Sequence, residues 1–178
     1  MDRIKIKDKV FTLSISEEEI LKEVSRVASE INTKLAGKDP IFISVLNGSF
    51  MFTSDLMKRI TIPCEISFVK LASYQGVAST GEIKEIVGIT EDLKDRTVVI
   101  VEDIVDTGLT MQRLLESIGT RAPREVFIAS LLLKPEKLQV DVDVDFVAMK
   151  IPNDFIVGYG LDYDGYGRNY PNIYTVEE

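Results

Sequence analysis

The chain has 178 residues, 45% of them hydrophobic and 28% charged, which predicts a single folded domain over residues 1–178 with an ordinary apolar core. Its net charge of −8 argues against broad binding to nucleic acid, and the absence of histidine limits acid–base chemistry to carboxylates, Lys, Tyr or Cys. The sequence contains neither a signal-peptide core nor an apolar run of the roughly 20 residues that a membrane span requires, so we expect a cytoplasmic protein.

The first predicted elements are a helix, a strand and a second helix. Ser16 opens a Ser-x-x-Glu capping box, and apolar residues then recur at helical spacing until Gly37, which should end the first helix. An apolar strand is predicted over residues 41–46, followed by an Asn-Gly turn and a helix over about 50–59.

The middle of the chain predicts a long hairpin. Residues 66–71 and 83–89 have strand patterns, and they flank a polar, Gly-containing loop over 73–81. This interruption of the helix–strand alternation predicts a flap that projects from the sheet.

The remaining predicted elements are a buried strand, a helix and two more strands, over residues 97–101, 109–118, 126–133 and 146–149. Apolar strands that alternate with helices are typical of the α/β class, in which helices cover a mostly parallel sheet. We therefore predict an α/β fold of that kind.

The chemistry is concentrated at the end of the 97–101 strand. Two acids, Glu102 and Asp103, follow the strand, and a short turn then carries a third acid, two threonines and a glycine before a helix begins. Ligands of open α/β sheets bind beyond the carboxyl ends of strands, and a helix N-terminus offers free amides and a positive dipole end. The segment therefore predicts a cradle for a phosphate monoester, the alternative being a solvated acidic turn that only caps a helix.

Two other phosphate-loop patterns are absent from the sequence. It has no Gly-x-x-x-x-Gly-Lys-Ser/Thr, the mark of P-loop ATPases, and no Gly-x-Gly-x-x-Gly, the mark of dinucleotide sites. Acids beside a phosphate cradle suit a ligand that has hydroxyls and a bound metal, such as a ribose phosphate.

The 98–110 segment resembles the PRPP-binding signature of type I phosphoribosyltransferases, where PRPP is 5-phosphoribosyl 1-diphosphate. Further segments at 46–49, 73–81, 130–134 and 155–169 resemble the hypoxanthine-guanine members in the same order, over nearly the whole chain. The resemblance implies the type I phosphoribosyltransferase fold, with a flexible hairpin flap and a small hood formed by the N- and C-terminal segments. It also implies purine salvage with Mg²⁺, in which PRPP and hypoxanthine or guanine give IMP or GMP and pyrophosphate.

The resemblance assigns the PRPP-binding roles to the 102–110 segment. Glu102 and Asp103 should accept hydrogen bonds from the ribose hydroxyls, directly or through Mg²⁺. Asp106 should act as general base or acid at purine N7, which requires a carboxyl group that can hold a proton near neutral pH, an effect that the two neighbouring acids would favour. The 5′-phosphate should bind mainly to backbone amides of Thr107, Gly108, Leu109 and Thr110.

Two loops should hold and enclose the leaving pyrophosphate. The resemblance assigns its binding to Leu46, Asn47, Gly48 and Arg168, with a cis peptide before Asn47, where many relatives carry Lys. Ser73 and Tyr74 in the flap should close over the reacting centre and exclude water.

The purine should meet the last third of the chain. Lys134 should donate to the purine O6, which selects a 6-oxopurine over adenine, while Phe155 stacks on the base and the Ile156 backbone reads its edge. Asp162 should approach Mg²⁺ through water or offer its carbonyl to the purine.

Three matters stay open at this point. The first is the base: the preference among hypoxanthine, guanine and xanthine depends on backbone position, and transfer to another base, such as adenine or a pyrimidine, is an alternative, although Lys134 argues against adenine. A nucleotide-sensing RNA-binding regulator on the same fold is an alternative that would need a basic face. The resemblance implies a homodimer or homotetramer.

Overall fold

The computed structural model describes residues 2–72 and 84–177, and this part of the chain forms two β-sheets and three α-helices. The strands are β1 Arg3–Ile6, β2 Lys9–Ile15, β3 Ile41–Leu46, β4 Glu65–Ala72, β5 Lys84–Val87, β6 Thr97–Val105, β7 Glu125–Leu133, β8 Phe146–Lys150, β9 Ile156–Val157 and β10 Ile173–Val176. The helices are α1 Glu17–Lys34, α2 Phe50–Met57 and α3 Leu109–Gly119, with a 3₁₀ turn at Pro135–Lys137. Within these described ranges, none of the helices has the length and apolarity to cross a membrane.

The larger sheet has six strands in the order β5-β4-β3-β6-β7-β8. β4, β3, β6, β7 and β8 run parallel to their neighbours, and β5 is added antiparallel at the edge. The predicted mostly parallel sheet is thus confirmed. The tip of the predicted flap, including Ser73 and Tyr74, lies outside the described residues.

Helices cover both faces of this sheet, which explains its continuous apolar strands. Phe42 and Val99 pack with α1 and α2 in one core cluster. Ile43 and Ile100, their neighbours in sequence, pack with α3 in a second cluster on the opposite face. Successive residues of these strands therefore point to opposite faces of the sheet and pack in different core clusters.

The smaller sheet is built from the two ends of the described chain, in the order β1-β2-β10-β9. All of its pairings are antiparallel, and a small apolar cluster lies against it, with Phe11, Val157 and Tyr174 almost fully buried. This sheet corresponds to the expected hood.

The structure corrects several predicted boundaries. β6 continues to Val105, so Glu102 and Asp103 lie inside the strand and not after it, because the ladder with β7 extends to the pair Val105↔Leu133. The first helix ends at Lys34, and Gly37 follows as a left-handed residue of the next turn. The capping box of Ser16 is present as predicted, whereas β1 and β2 were not predicted.

Candidate active site

The carboxyl ends of β3, β6 and β7 lie side by side, since these three strands are neighbours and parallel. Gly48, just after β3, packs directly against Asp103 of β6, and a Cβ atom on Gly48 would overlap Asp103 Oδ2. A side chain at this position would therefore require the Asp103 carboxylate to move. The contact joins the predicted pyrophosphate loop to the predicted ribose-binding acids.

The loop after β3 begins with a cis peptide bond between Leu46 and Asn47, as the resemblance implied. Three buried hydroxyl groups lie beneath it. Ser44 Oγ is 2.7 Å from both Ser49 Oγ and Thr53 Oγ1, and Ser49 Oγ donates to the Val45 carbonyl at 2.5 Å. Because each of these hydroxyls has a partner, the network stabilises the junction between the loop and α2.

The two acids of β6 are neighbours in sequence, Glu102 buried and Asp103 partly buried. Glu102 is only 8% exposed, and burial, reinforced by repulsion from Asp103, raises its pKa well above the ordinary value. Burial also raises the pKa of Asp103, although the Ile104 amide and the charge of Arg168 oppose that rise. Such a pair favours a ligand that brings positive charge or hydroxyl donors.

This burial predicts a pH-dependent effect of Glu102→Gln on stability. A carboxyl group whose pKa is raised in the folded state keeps a proton that the unfolded state releases. The free energy of unfolding therefore falls as pH rises from the pKa of the unfolded state to that of the folded state. Glutamine lacks this titration. In the absence of divalent cations, the Tm of Glu102→Gln minus the Tm of the unaltered protein should therefore increase from pH 5 to pH 8. Each kcal/mol of difference in the free energy of unfolding corresponds to about 2–4 °C in Tm.

The exposed Glu116 on α3 provides the matched control, Glu116→Gln. Thermal denaturation over the same pH range should give a Tm difference for this variant that does not change with pH. An equal pH trend in both variants would contradict the burial argument.

The turn between β6 and α3 is the segment predicted to hold a phosphate. Gly108 has φ +82° and packs so closely that a Cβ there would lie 2.9 Å from Val140 Cγ2. The helical hydrogen bonds begin with the Gln112 amide, which donates to the Gly108 carbonyl at 2.9 Å. Of the amides before it, that of Leu109 donates to Thr107 Oγ1 over a long 3.4 Å, and a helix N-terminus of this kind suits an anion. A cavity of about 80 Å³ opens at this point, and its lining includes Glu102, Asp106, Thr107, Gly108, Thr110 and Met111.

Asp106 has one engaged and one unengaged carboxylate oxygen. Its Oδ2 lies 2.9 Å from Lys137 Nζ and 3.8 Å from Lys134 Nζ. Its Oδ1 is buried and has no hydrogen-bond partner within residues 2–72 and 84–177. The ion-pair partners of Asp106 are thus Lys134 and Lys137, whereas the sequence pointed only to the neighbouring acids as its charged surroundings. An unengaged buried acceptor is suited to a proton donor on a ligand.

Lys134 connects this carboxylate to the predicted base-binding segment. Its side chain is almost fully buried at the end of β7, and Nζ donates to the Asp154 carbonyl at 2.7 Å. Burial lowers the pKa of Lys134, while the charge of Asp106 opposes the change. Phe155, the residue after Asp154, exposes 45% of its surface, and its ring contacts the rings of Phe11 and Tyr163. Ile156 follows and is buried in β9.

The loop after β9 contacts the loop after β3, which is the predicted pyrophosphate loop. A Cβ atom on Gly160 would overlap the Gly48 carbonyl oxygen, so the two loops touch through glycines. Arg168 donates to the Gly160 carbonyl at 2.7 Å and pairs with Asp162 Oδ1 at 2.8 Å. The Gly165 amide donates to Asp162 Oδ2, so both oxygens of that carboxylate are engaged.

These contacts bring the predicted residues of four segments into one region: 46–48, 102–110, 134 and 155–168. Ser73 and Tyr74 belong to the part that is not described. Two residues of this region, Lys137 and Gly160, were not predicted from the sequence. A lysine in a polar turn is typical of a solvated surface, and a Gly-rich C-terminal loop does not reveal which glycine touches another loop.

Comparison with known proteins agrees with this geometry. Residues 14–164 match the family model described as phosphoribosyl transferase domain. The hypoxanthine-guanine phosphoribosyltransferase of Streptococcus mutans is 40% identical, over 92% of this chain and 91% of that protein, and that of Aquifex aeolicus is 35% identical, over 97% and 98%. A crystal structure of a hypoxanthine phosphoribosyltransferase from Staphylococcus aureus is similar with a TM-score of 0.88 at 36% identity, covering 93% of this chain and 90% of the other. The chain therefore belongs to the phosphoribosyltransferase family, among its hypoxanthine-guanine members.

Proposed function

We propose that this protein transfers the 5-phosphoribosyl group of PRPP to hypoxanthine or guanine in purine salvage, giving IMP or GMP and pyrophosphate. The observation that carries the proposal is the buried Oδ1 of Asp106, an acceptor without a partner in the described part of the chain. The Asp106 carboxylate lies beside a helix N-terminus suited to a phosphate, and its other oxygen, Oδ2, is 3.8 Å from Nζ of the donor Lys134.

The PRPP side of the proposed reaction depends on the β6–α3 segment. The amides of Thr107, Gly108, Leu109 and Thr110 hold the 5′-phosphate at the positive end of α3. Glu102 and Asp103 accept hydrogen bonds from the ribose 2′- and 3′-hydroxyls. Their burial makes these bonds strong, because water does not compete for the same oxygens.

The base enters between Lys134 and Phe155. Lys134 Nζ donates to O6, Phe155 stacks on the ring, and the Ile156 backbone reads the edge of the base. Purine N9 attacks ribose C1′ as the C1′–oxygen bond to pyrophosphate breaks, and Asp106 Oδ1 accepts the proton that leaves N7. Adenine presents its own amino donor to Lys134, so we expect it to be rejected.

The pyrophosphate is held by the loop after β3 and by Arg168. Backbone amides of Leu46, Asn47 and Gly48 face the leaving group, and Arg168 adds the positive charge that Asn47 lacks. Arg168 is already fixed by Gly160 and Asp162, which orients its guanidinium group without the ligand. Ser73 and Tyr74 in the flap complete the enclosure and exclude water.

The acids of this site fit a divalent cation, for which we propose Mg²⁺. Glu102 and Asp103 are hard oxygen donors whose pKa values are raised chiefly by burial, while the charge of Arg168 opposes the rise at Asp103. The described residues contain no group of three or more Asp, Glu or Cys side chains that would hold a metal alone, which suits an ion bound jointly with substrate oxygens. When bound, Mg²⁺ would neutralise charge on the pyrophosphate. Asp162 would hold the ion through water, because both its carboxylate oxygens are engaged.

The proposed enzyme is one domain over residues 1–178, located in the cytoplasm and assembled as a homodimer or homotetramer. The family match over residues 14–164 supports the single domain, and the assembly is what the resemblance implies.

A competition assay tests the proposed function. The protein is incubated with PRPP, Mg²⁺ and equimolar hypoxanthine, guanine, xanthine and adenine, and the nucleotides are separated and quantified. We expect IMP and GMP to form and AMP to be absent, while the yield of XMP measures how the site reads position 2 of the ring. Formation of no 6-oxopurine nucleotide would remove the proposal, and an XMP yield above the others would change the substrate.

A further inference from the structure

We propose that Lys137 is a positioning residue that holds the Asp106 carboxylate and thereby keeps Lys134 available for the base. This inference rests on the proposed function, since it concerns the two groups that would contact N7 and O6. It assigns a role to a side chain that belongs to none of the motifs recognised in the sequence.

The position of Lys137 is set by the turn that follows β7. Residues Pro135–Lys137 form a single 3₁₀ turn, in which the Lys137 amide donates to the Lys134 carbonyl at 3.1 Å. The turn carries the side chain back over the end of β6, where Nζ donates to Asp106 Oδ2 at 2.9 Å. The side chain of Lys137 is 38% exposed, so this bond lies at the mouth of the site.

The two lysines beside Asp106 are not equivalent. Lys134 Nζ is committed to the Asp154 carbonyl at 2.7 Å and lies 3.8 Å from Asp106 Oδ2, which is beyond hydrogen-bond distance. Lys137 makes the only direct hydrogen bond to this carboxylate found in the described residues. An ammonium group has three donors, so Lys134 retains donors for a ligand as long as Asp106 does not take them.

The hydrogen bond from Lys137 to Asp106 Oδ2 also determines where the other oxygen, Oδ1, lies. With one oxygen fixed by Lys137, the other stays buried without a partner, as an acceptor for a ligand. Without Lys137 the carboxylate is free to rotate and close the gap to Lys134. That pairing would occupy the proposed N7 acceptor and the proposed O6 donor at the same time, because each would satisfy the other.

The first test separates base recognition from PRPP binding. Lys137→Gln should raise KM for hypoxanthine about tenfold, the cost of one misdirected charge-assisted hydrogen bond, and leave KM for PRPP within about twofold. Lys137→Arg should restore most of the affinity, since guanidinium also donates to a carboxylate. Lys94→Gln is the matched control, because Lys94 is exposed and precedes β6, at the opposite end of that strand from Asp106.

A double-mutant cycle identifies the pathway of the effect. In an Asp106→Asn background, the residual activity should show the same KM for hypoxanthine with or without Lys137→Gln, because the carboxylate that Lys137 restrains is gone. Thermal denaturation of each variant reports folding.

Each outcome decides the matter. Product from the unaltered protein, with an unchanged KM for hypoxanthine in Lys137→Gln, would remove the role of Lys137 and leave the proposed function intact. Equal rises in KM for base and PRPP, or an undiminished effect in the Asp106→Asn background, would likewise overturn it. No product from the unaltered protein with any purine would remove the proposed function and this inference together.

Discussion

Replacing Asp106 by Asn should lower kcat by a factor of about 10²–10⁴ and leave the dissociation constant of PRPP within about twofold. The amide keeps the shape of the side chain but cannot take the N7 proton at neutral pH. The 5′-phosphate and the ribose hydroxyls are assigned to other residues, so PRPP should still bind. Steady-state kinetics with hypoxanthine gives kcat, and calorimetric titration with PRPP gives the dissociation constant.

Asp143→Asn is the control for this substitution, because it makes the same chemical change at an exposed position outside the site. Its kcat should equal that of the unaltered protein. If Asp106→Asn turned over at the unaltered rate, Asp106 would have no proton-transfer role. A parallel loss of PRPP affinity would instead indicate a collapsed site.

The second large effect is expected for Gly48→Ala, which should lower kcat/KM for PRPP by about 10²-fold or more. The added methyl group would occupy the position of Asp103 Oδ2. Asp103 is held by a 2.8 Å hydrogen bond from the Ile104 amide, and on its other side the Gly48 carbonyl touches Gly160. Neither partner can move without displacing the loop or the acid, and displacements of about 1 Å have costs of this size in positioned reactions.

Gly119→Ala makes the same change where a Cβ atom would meet nothing within 4 Å. Kinetics of both variants over a range of PRPP concentrations should show normal activity for Gly119→Ala, with equal or slightly higher Tm because alanine favours the helix. Near-normal activity of Gly48→Ala would mean that the loop after β3 adapts, and that its contact with Asp103 is not required.

The main sheet could be predicted because its strands are buried on both faces. The runs at 41–46, 97–101 and 126–133 are apolar enough to be recognised alone, and two of the three helices have caps or glycines at their ends. The boundary error in β6 has a physical cause. β6 runs on through Glu102 and Asp103 because β7 still offers backbone partners there, and pairing of this kind depends on a neighbour that the local sequence does not reveal.

The small sheet escaped prediction for a related reason. β1 has only four residues, two of them charged, and β2 mixes apolar with polar residues. The two strands pair with each other, and β10 adds to β2 from the far end of the sequence. Antiparallel pairing between such distant segments leaves no local signal apart from weak alternation.

The segments that form the candidate site could be predicted from the sequence, but most of the side-chain contacts between them could not. The acids, the glycine turn and Lys134 stand at strand ends, where sequence order and sheet topology place ligand groups. Their partners are a different matter. Lys137 pairs with Asp106 across a chain separation of 31 residues, and Arg168 is oriented by the Gly160 carbonyl. These contacts depend on backbone paths that composition does not encode.

The central place of β10 in the small sheet makes the base-binding half of the site depend on both ends of the chain. β9, which begins with Ile156, is held to the rest of that sheet through β10, whose other partner is β2, more than 150 residues earlier in the sequence. Contacts that close such long loops form late in folding. A folding molecule should thus acquire its phosphate cradle before it can distinguish one base from another.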